Sequence, residues 1–259
     1  MGTEINDSPG SRPIPITAFD ADSELYARYR ENYPDQMITD IVGLCPTTNL
    51  AVDCATGTGQ VAQQLSSHFK KVIGIDQSVD QIAHAKKADN VEYRVESAED
   101  LRGISDGSVD LITVATAIHW FDQEHFFVNA RRVLKSGGVI AIFSIGGPEV
   151  QKDKSAIAQF YNDYFSGYAP KNFKPMSSIK IPDGFTEVTE SKSYTKKVDR
   201  AVEDVCGWVR TVSAWNALLD KNNAERALEQ LHSRLTAVLD EHEHLEVVYN
   251  VPIRIFKKM

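Results

Sequence analysis

Two aspartates and two glycines in the first third of the chain have the types and spacing of a nucleotide-binding site. Asp53 ends a short apolar run, Gly57 and Gly59 follow it, and Asp76 ends the next apolar run. Glycine has no Cβ, so the backbone can take positive φ values and approach a ligand closely. A carboxylate at the end of the second strand suits the two hydroxyls of a ribose. These residues predict a strand, a tight turn and a helix that together bind a nucleoside.

The charge on Asp53 decides between the two classes of cofactor that this turn could hold. Residues 57–62 match the G-x-G-x-x-A pattern of dinucleotide-binding turns. A dinucleotide places its pyrophosphate at the helix N-terminus, where a carboxylate four residues before Gly57 would repel it. S-adenosylmethionine carries an ammonium and a sulfonium and has no phosphate, so the same carboxylate would attract it. We therefore predict S-adenosylmethionine as the cofactor, and a dinucleotide oxidoreductase is the remote alternative.

Three further residues could take part in a reaction at this site. His119 follows a predicted central strand; its imidazole could act as a general base or could orient a ligand without moving a proton. Arg30 and Arg210 are candidates for holding a carboxylate, because a guanidinium can bind it through two hydrogen bonds. Arg210 lies between Trp208 and Trp215, so it could equally be a surface arginine whose stem covers the aromatic rings.

The cysteines and histidines show no metal-binding pattern. Cys45, Cys54 and Cys206 are widely spaced, and His242 and His244 lie two positions apart near a predicted helix end with no cysteine beside them. Zinc sites need closely spaced pairs of such ligands. We therefore predict no metal site and no disulfide framework, and this use of cysteine fits a cytoplasmic protein.

The overall composition restricts the class of partner. The chain has 259 residues and a formal net charge of −8, and an acidic protein lacks the clustered Lys and Arg that nucleic-acid phosphates need. No apolar run has the length of a membrane span, and the N-terminus has no signal-peptide core. We expect a cytoplasmic protein that acts on a small molecule, as a monomer or a weak homodimer, with no nucleic-acid or membrane partner.

Strand and helix patterns alternate up to about residue 150, which predicts a parallel sheet with right-handed crossovers. The predicted fold is α/β, a doubly wound, Rossmann-like, seven-stranded mixed sheet that is mostly parallel and carries a helical C-terminal cap. Ligands bind such sheets at the carboxyl ends of the strands. The predicted strands of this part are 50–53, 71–76, 91–95, 109–115 and 139–145, and the predicted helices include 34–44, 78–88 and 123–134.

The pattern changes beyond residue 147. We interpret 1–16 as a flexible N-terminus, 17–150 as the cofactor-binding core with an N-terminal lid helix, and 151–259 as cap helices plus the last two strands of the same sheet. Pro252 marks an edge or bulge position in the last strand. The predicted helices of this part are 154–166, 200–210, 213–220 and 223–240, and the two strands, expected to run antiparallel, are 185–196 and 246–256.

Several stretches together resemble class I S-adenosylmethionine-dependent methyltransferases, and in particular the small-molecule family that includes the trans-aconitate and cantharidin methyltransferases of fungi. The D-x-A-x-G-x-G spelling has Ala55 where the family's first glycine stands. Segment 207–215, GWVRTVSAW, resembles the family's substrate cap more loosely. The matching stretches are distributed over the predicted sheet, which takes up roughly half the chain, and they are Ala51–Gln60, Val72–Asp76, Ser97–Glu99, Val109–Asp122 and Arg131–Gly138.

The resemblance implies methyl transfer from S-adenosylmethionine to a small molecule under the cap, with S-adenosylhomocysteine as the product. We predict His119 as the catalytic residue. The predicted cofactor-binding residues are Tyr26, Arg30, Asp53, Ala55, Gly57, Gly59, Asp76, Gln77, Ser97, Ala98, Glu99 and Ala115. The predicted substrate-binding residues are Tyr33, His119, Trp120, Arg210 and Trp215.

The preferred acceptor is a carboxylate, which is already ionised and needs cationic or polar groups to align it rather than a base. An amine, a hydroxyl or a thiol would need deprotonation, and His119 would then become more important. The alternatives are therefore an N-, O- or S-methyltransferase acting on small molecules and, from another functional class, a non-catalytic partner protein that binds S-adenosylmethionine.

Overall fold

The computed structural model describes residues 25, 28–166, 176–188, 194–212, 214–215, 221–239 and 244–259, without the side chains of residues 221 and 222. Several parts of the sequence interpretation lie wholly or mostly outside the described residues: the N-terminal segment 1–16, the first part of the predicted lid helix with Tyr26, most of the helix predicted at 213–220, and His242. The domain limits predicted near residues 16 and 150 stay predictions.

The described residues form ten strands, and seven of them make one sheet. The strands are β1 (Leu50–Cys54), β2 (Lys71–Asp76), β3 (Val91–Val95), β4 (Val109–Ala115), β5 (Leu134–Phe143), β6 (Glu149–Val150), β7 (Phe185–Glu187), β8 (Tyr194–Arg200), β9 (Leu245–Val251) and β10 (Ile253–Lys258). The large sheet has the order β3-β2-β1-β4-β5-β10-β7, in which β1 to β5 are parallel to one another and β10 runs antiparallel to both of its neighbours. The predicted seven-stranded, mostly parallel sheet is confirmed.

Helices connect the parallel strands and form the cap. They are α1 (Asp35–Val42), α2 (Gln60–Ser66), α3 (Val79–Ala83), α4 (Gln123–Val133), α5 (Ala156–Phe165), α6 (Val202–Arg210) and α7 (Lys221–Thr236). Ser78 caps α3, as predicted, by accepting a hydrogen bond from the Gln81 amide. The helix ends five residues earlier than expected, because Lys86 bonds instead to Thr58 and Tyr93. None of the helices in the described part of the chain is long and apolar enough to cross a membrane.

The core lies on both faces of the large sheet. Leu111 of β4 packs into the cluster shared with α1, α2 and the cap, whereas its neighbour Ile112 packs into the cluster on the opposite face with Phe126 of α4. Successive strand residues point to opposite faces, so a central strand covered on both sides must be continuously apolar. This burial pattern holds the ends of β1 and β4 in fixed positions, and those ends bear the candidate site.

A second, three-stranded antiparallel sheet, β6-β9-β8, was not predicted. The prediction that the late strands 185–196 and 246–256 both belong to the large sheet is wrong. The first divides into β7 of the large sheet and β8 of the small one, and the second into β9 of the small sheet and β10 of the large one. Pro252 separates β9 from β10, because a residue without an amide hydrogen cannot continue both ladders. The small sheet supports α5, α6 and α7, among which α7 contacts the other two, so the cap is mixed rather than purely helical.

Candidate active site

A cavity of about 360 Å³ lies at the carboxyl ends of β1, β2 and β4. Residues at each strand end form part of its wall: Asp53 and Ala55 at the end of β1, Asp76 at the end of β2, and Ala115 at the end of β4. The volume lies within the range of small-molecule sites. The cavity therefore occupies the position in the sheet where the sequence predicts the ligand.

The turn between β1 and α2 brings its backbone to the cavity through three residues with positive φ. Gly57 and Gly59 have φ values of 55° and 78°, and Ala55 has 54°. The left-handed region costs a residue with a Cβ about 1–2 kcal/mol. The turn bears this cost at Ala55 and keeps the backbone conformation that a glycine would adopt there. A Cβ on Gly59 would lie 2.2 Å from the Tyr93 hydroxyl oxygen, so any other residue at this position would have to displace the Tyr93 side chain.

Asp53 is a buried carboxylate whose hydrogen-bond donors are neutral. Thr113 Oγ1 donates to Oδ1 at 2.7 Å, and Thr56 Oγ1 donates to Oδ2 at 2.6 Å. Among the described residues the remaining donor is the backbone amide of Ala62, and no cation is present. Burial raises the pKa of Asp53 to about 6, although these hydrogen bonds oppose the rise. A carboxylate of this kind in a cavity wall suits a ligand that carries a positive charge.

Asp76 joins the glycine turn to the start of α3. Its Oδ2 accepts a hydrogen bond from the Gly57 amide at 2.8 Å, and its Oδ1 accepts one from the Ser78 amide at 2.9 Å. Asp76 and the adjacent Gln77 both line the cavity. The carboxylate therefore organises the turn, and its predicted contact with a ribose diol stays a prediction.

Gln60, which the sequence analysis did not identify, is a second polar group in this part of the wall. Its side chain is buried, and its amide nitrogen Nε2 has no hydrogen-bond partner among the described residues. An unpaired buried amide costs about 1–3 kcal/mol, so this donor fits a ligand that supplies an acceptor. Its position in the first turn of α2, directly after Gly59, is the feature of the sequence from which its place in the cavity wall could have been predicted.

Ala98 and Glu99, two of the predicted cofactor-binding residues, line the cavity on the side of β3. Glu99 Oε1 accepts a hydrogen bond from the Asp122 amide at 2.9 Å, and Asp122 in turn caps α4. Ser97 lies outside the wall. Its carbonyl accepts a hydrogen bond from the Asp100 amide, and its predicted contact with the cofactor stays a prediction.

Tyr33 and Thr116 place two hydroxyl groups together in the opposite part of the wall. The Tyr33 hydroxyl lies 3.0 Å from Thr116 Oγ1, and the Tyr33 backbone is held on both sides by the amide of Gln64. Thr116 has a φ of 54°, and strained backbone of this kind concentrates at functional sites. The sequence analysis named Tyr33 but not Thr116, because a threonine carries no sign of a positive φ.

Arg30 lines the cavity next to this hydroxyl pair. Its guanidinium carbon lies 4.6 Å from the centre of a Trp208 ring, and its Nε donates to Thr211 Oγ1 at 2.8 Å. The following residue, Glu31, is buried in the wall and pairs with Arg200 of β8. Arg30 and Glu31 therefore join the cavity to the cap.

Three predicted substrate-binding residues lie outside the cavity wall, as far as the structure describes it. Arg210 points to Glu225 of α7, with its Nη2 3.1 Å from Oε2, because it sits at the exposed end of α6. Trp215 packs against the core cluster. His119 and Trp120 are successive residues of a 3₁₀ turn, with their ring centres 4.8 Å apart, and Trp120 is the one that lines the cavity.

The electrostatics of His119 also differ from those of a typical general base. Burial lowers its pKa to about 4, so the imidazole is neutral at pH 7 and weakly basic, whereas a general base works best with a pKa near the operating pH. No group of three or more His, Cys, Asp or Glu residues in the described ranges could hold a metal ion, and His242 lies outside those ranges.

Comparisons with known proteins identify the chemistry. Residues 52–142 match a family described as a methyltransferase domain. A protein of Dictyostelium discoideum described as a methyltransferase is 32% identical over 225 residues, which cover 82% of this chain and 85% of that protein. The chain belongs to the class I S-adenosylmethionine-dependent methyltransferases. Within this class the comparisons leave the trans-aconitate and cantharidin family as a prediction.

Two further relatives agree with this assignment. The Saccharomyces cerevisiae protein CRG1, described as an S-adenosylmethionine-dependent methyltransferase, is 31% identical over 165 residues, which cover 58% of this chain and 56% of that protein. The solved structure of an Anaeromyxobacter dehalogenans protein described as a type II methyltransferase is 26% identical, with a TM-score of 0.74 over 88% of this chain and 97% of that one. The methyltransferase therefore shares sequence and fold with these proteins along most of its length.

The cavity of this methyltransferase fits the cofactor that its family uses. S-adenosylmethionine supplies an activated methyl group, an ammonium for the uncompensated charge of Asp53, and hydrogen-bond acceptors for Gln60. The backbone of the Ala55–Gly57 turn leaves room for close approach. Which atom of the cofactor each residue contacts stays a prediction.

The pKa of Asp53 predicts how cofactor binding depends on pH. The ionised form attracts an ammonium, so we expect affinity for S-adenosylhomocysteine to be highest near pH 7 and to fall as the pH decreases through about 6. Asp53→Asn should weaken binding at pH 7 roughly 10- to 100-fold, because a hydrogen bond to a charged group contributes about 1.5–3 kcal/mol. Calorimetry between pH 5 and 7 measures both effects.

Adenosine is the matched ligand control, since it lacks the ammonium. Its affinity should be similar at pH 5 and pH 7 and unaffected by Asp53→Asn. An equal loss for adenosine and S-adenosylhomocysteine would show that the substitution damages the turn rather than a charge contact.

The glycine turn predicts a loss of stability in Gly59→Ala. The new Cβ would overlap the Tyr93 hydroxyl, and the alanine would have to adopt a positive φ that is unfavourable for it. The free energy of unfolding should therefore fall by roughly 1–3 kcal/mol. Gly43→Ala is the control: Gly43 has a helical φ of −62°, and its Cβ would make ordinary contacts at 3.5 Å. Urea unfolding of both variants tests the difference, and similar midpoints would contradict it.

Proposed function

We propose that this methyltransferase methylates the carboxylate of a small organic acid, and that Arg30 holds the acid in the cavity. The observation that carries the proposal is a guanidinium in the cavity wall, stacked on Trp208 and hydrogen-bonded to Thr211. A guanidinium held in one plane can bind a carboxylate through two parallel hydrogen bonds. The resemblance to the trans-aconitate methyltransferases also favours an acidic acceptor.

The neighbouring hydroxyl pair supports an oxygen-rich acceptor. The hydrogen-bonded hydroxyl pair of Tyr33 and Thr116 borders the cavity with polar oxygen atoms, and Ile145 adds an apolar contact beside them. A carboxylic acid with a short carbon skeleton could contact all of these groups at once. We also infer that the acceptor is a free small molecule, because the cavity is small and the net charge of −8 disfavours nucleic acid; a monomer or weak homodimer suffices for this reaction.

The chemistry of the transfer supports the same acceptor. The acceptor oxygen forms a bond to the methyl carbon while the carbon–sulfur bond breaks, and the bonding electrons of that bond return to sulfur. A carboxylate is ionised at neutral pH, so no proton has to leave before the reaction. The wall then needs to align oxygen, carbon and sulfur, and alignment can contribute about 7–11 kcal/mol. The low pKa of His119 and its place outside the wall fit a reaction without a general base.

An amine acceptor is the second candidate, and one observation favours it. Trp120 and Phe121 both line the cavity, and aromatic faces bind ammonium groups. Such an acceptor would have to lose a proton before it could attack the methyl group, and the described wall supplies no imidazole for that step. We therefore rank N-methylation second.

The proposed acceptor class predicts the outcome of a substrate screen. Purified enzyme, radiolabelled S-adenosylmethionine and separate pools of carboxylic acids, amines, alcohols and thiols are incubated at pH 7.5. We expect label transfer in the acid pool, as base-labile methyl esters. Base-stable label in the amine pool alone would replace the carboxylate proposal with the second candidate.

The variant Arg30→Lys tests whether Arg30, rather than Arg210, holds the acid. Lysine keeps the charge and loses the planar fork, so we expect KM for the acid to rise at least tenfold, about 1.4 kcal/mol, with kcat less affected. The same substitution at Arg210, which points away to Glu225, should change KM less than twofold. Steady-state kinetics with the labelled acid measure both.

The affinity for S-adenosylmethionine provides the internal control for Arg30→Lys. This cofactor has a carboxylate of its own, and the sequence analysis also named Arg30 as a cofactor-binding residue. Cofactor affinity within twofold of wild type would support a contact with the acceptor. A loss of cofactor affinity equal to the rise in KM would instead show that Arg30 binds the carboxylate of the cofactor. Its proposed role in binding the acceptor would then be wrong.

A further inference from the structure

The end of helix α6 holds the guanidinium of Arg30 from two directions. A ring of Trp208 lies 4.6 Å from the guanidinium carbon. Thr211 accepts two hydrogen bonds from the same group: Arg30 Nε donates to its hydroxyl at 2.8 Å, and Arg30 Nη2 donates to its carbonyl at 3.3 Å. Two hydrogen bonds and one stacked face together define the plane in which the guanidinium lies.

The Thr211 hydroxyl is itself fixed in direction. It donates its proton to the Trp208 carbonyl at 2.7 Å, and a hydroxyl has one proton to donate. The oxygen must therefore meet Arg30 Nε as an acceptor. The carbonyls of Trp208 and Thr211 also lie at the C-terminus of α6, where the partial negative charge of a helix favours a cation. Thr211 thus combines a directed acceptor with a favourable local field.

The aromatic platform beneath Arg30 is rigid. Trp208 is buried and packs at 6.4 Å, between ring centres, from Tyr249 of β9. Gly147 borders the same indole, where an added Cβ would make an ordinary contact at 3.4 Å. Because Trp208 is buried in this packing, the cap supplies an ordered aromatic surface against which the Arg30 guanidinium lies.

We propose that Thr211 is a positioning residue for acceptor recognition: it holds Arg30 in the plane needed to bind the acceptor carboxylate at two points. This inference rests on the proposed function. A free arginine side chain loses conformational entropy when a ligand immobilises it, and Thr211 removes that loss in advance. The cap segment 207–215 therefore acts on the acceptor through residue 30 rather than through its own Arg210.

Two substitutions at Thr211 and one elsewhere test the inference. Thr211→Val removes the hydroxyl and keeps the shape, whereas Thr211→Ser keeps the hydroxyl. Thr236→Val is the matched control, because Thr236 at the end of α7 also donates its hydroxyl to a carbonyl of its own helix, at 2.9 Å, and is not one of the residues that line the cavity. Each variant is assayed with trans-aconitate and with the acids labelled by the wild-type enzyme.

We expect Thr211→Val to raise KM for the acid at least fivefold while kcat and the affinity for S-adenosylmethionine stay within twofold of wild type. Thr211→Ser should restore KM to within twofold, and Thr236→Val should leave it unchanged. A nitrogen–proton NMR spectrum supplies a readout without an acceptor. The Arg30 Nε–H signal, identified by its loss in Arg30→Lys, should exchange slowly with water in the wild type and in Thr211→Ser, and rapidly in Thr211→Val.

The outcomes separate this inference from the function on which it rests. If Arg30→Lys raises KM but Thr211→Val does not, the acid-binding role of Arg30 stands and the positioning role of Thr211 is wrong. If Thr211→Ser or Thr236→Val impairs the enzyme as much as Thr211→Val, the effect is structural and the inference is also wrong. If no acid is methylated, or if Arg30→Lys has no effect, the proposed function fails and the inference fails with it.

Discussion

The buried carboxylate of Asp53 is the group on which the chemistry of the site depends. β1 lies between β2 and β4 in the sheet, so its last side chains are removed from water. The register that pairs Asp53 with Thr113 brings a hydroxyl to one carboxylate oxygen, and the glycine turn returns Thr56 to the other. Because these donors are neutral, they orient the negative charge without cancelling it. The sheet therefore presents a charge that a cationic ligand stabilises, and this requirement separates a sulfonium cofactor from a phosphate-bearing one.

The short segment 30–34 connects this cofactor half of the cavity to the cap. Tyr33 contacts Gln64 of α2 and Thr116 after β4, so it belongs to the sheet side. Arg30 and Glu31 instead contact α6 and β8 of the cap. The two ends of five consecutive residues are therefore fixed to different parts of the fold. Arg30 and Tyr33 line the same cavity but are held by different parts of the fold, so the cap acts on the cavity through contacts with this segment, whereas the described lining residues themselves lie between positions 30 and 145.

The cofactor half could be predicted from the sequence because its signals are local. Apolar runs, two glycines and two carboxylates lie within thirty residues of one another. The helix cap at Ser78 could also be predicted, because serine is a residue type that favours this position. Positive φ at Ala55 and Thr116 has no such signal, since neither residue type favours it. The contact between Arg30 and Thr211 joins residues 181 positions apart. Periodicity and composition describe single elements and do not report which distant elements meet, so the cap and the acceptor wall needed the structure.

Pro252 has a consequence for how enzymes of this kind can diverge. It is the single residue between β9, which belongs to the small sheet, and β10, which belongs to the large one. Side chains alternate along a strand, so a one-residue insertion or deletion here would turn the apolar side chains of one strand to the wrong face. Both sheets would have to compensate at once. Natural selection should therefore tolerate changes in loop length elsewhere while preserving the length of this terminal segment, and new acceptor preferences should arise by replacement of residues on a backbone of constant length.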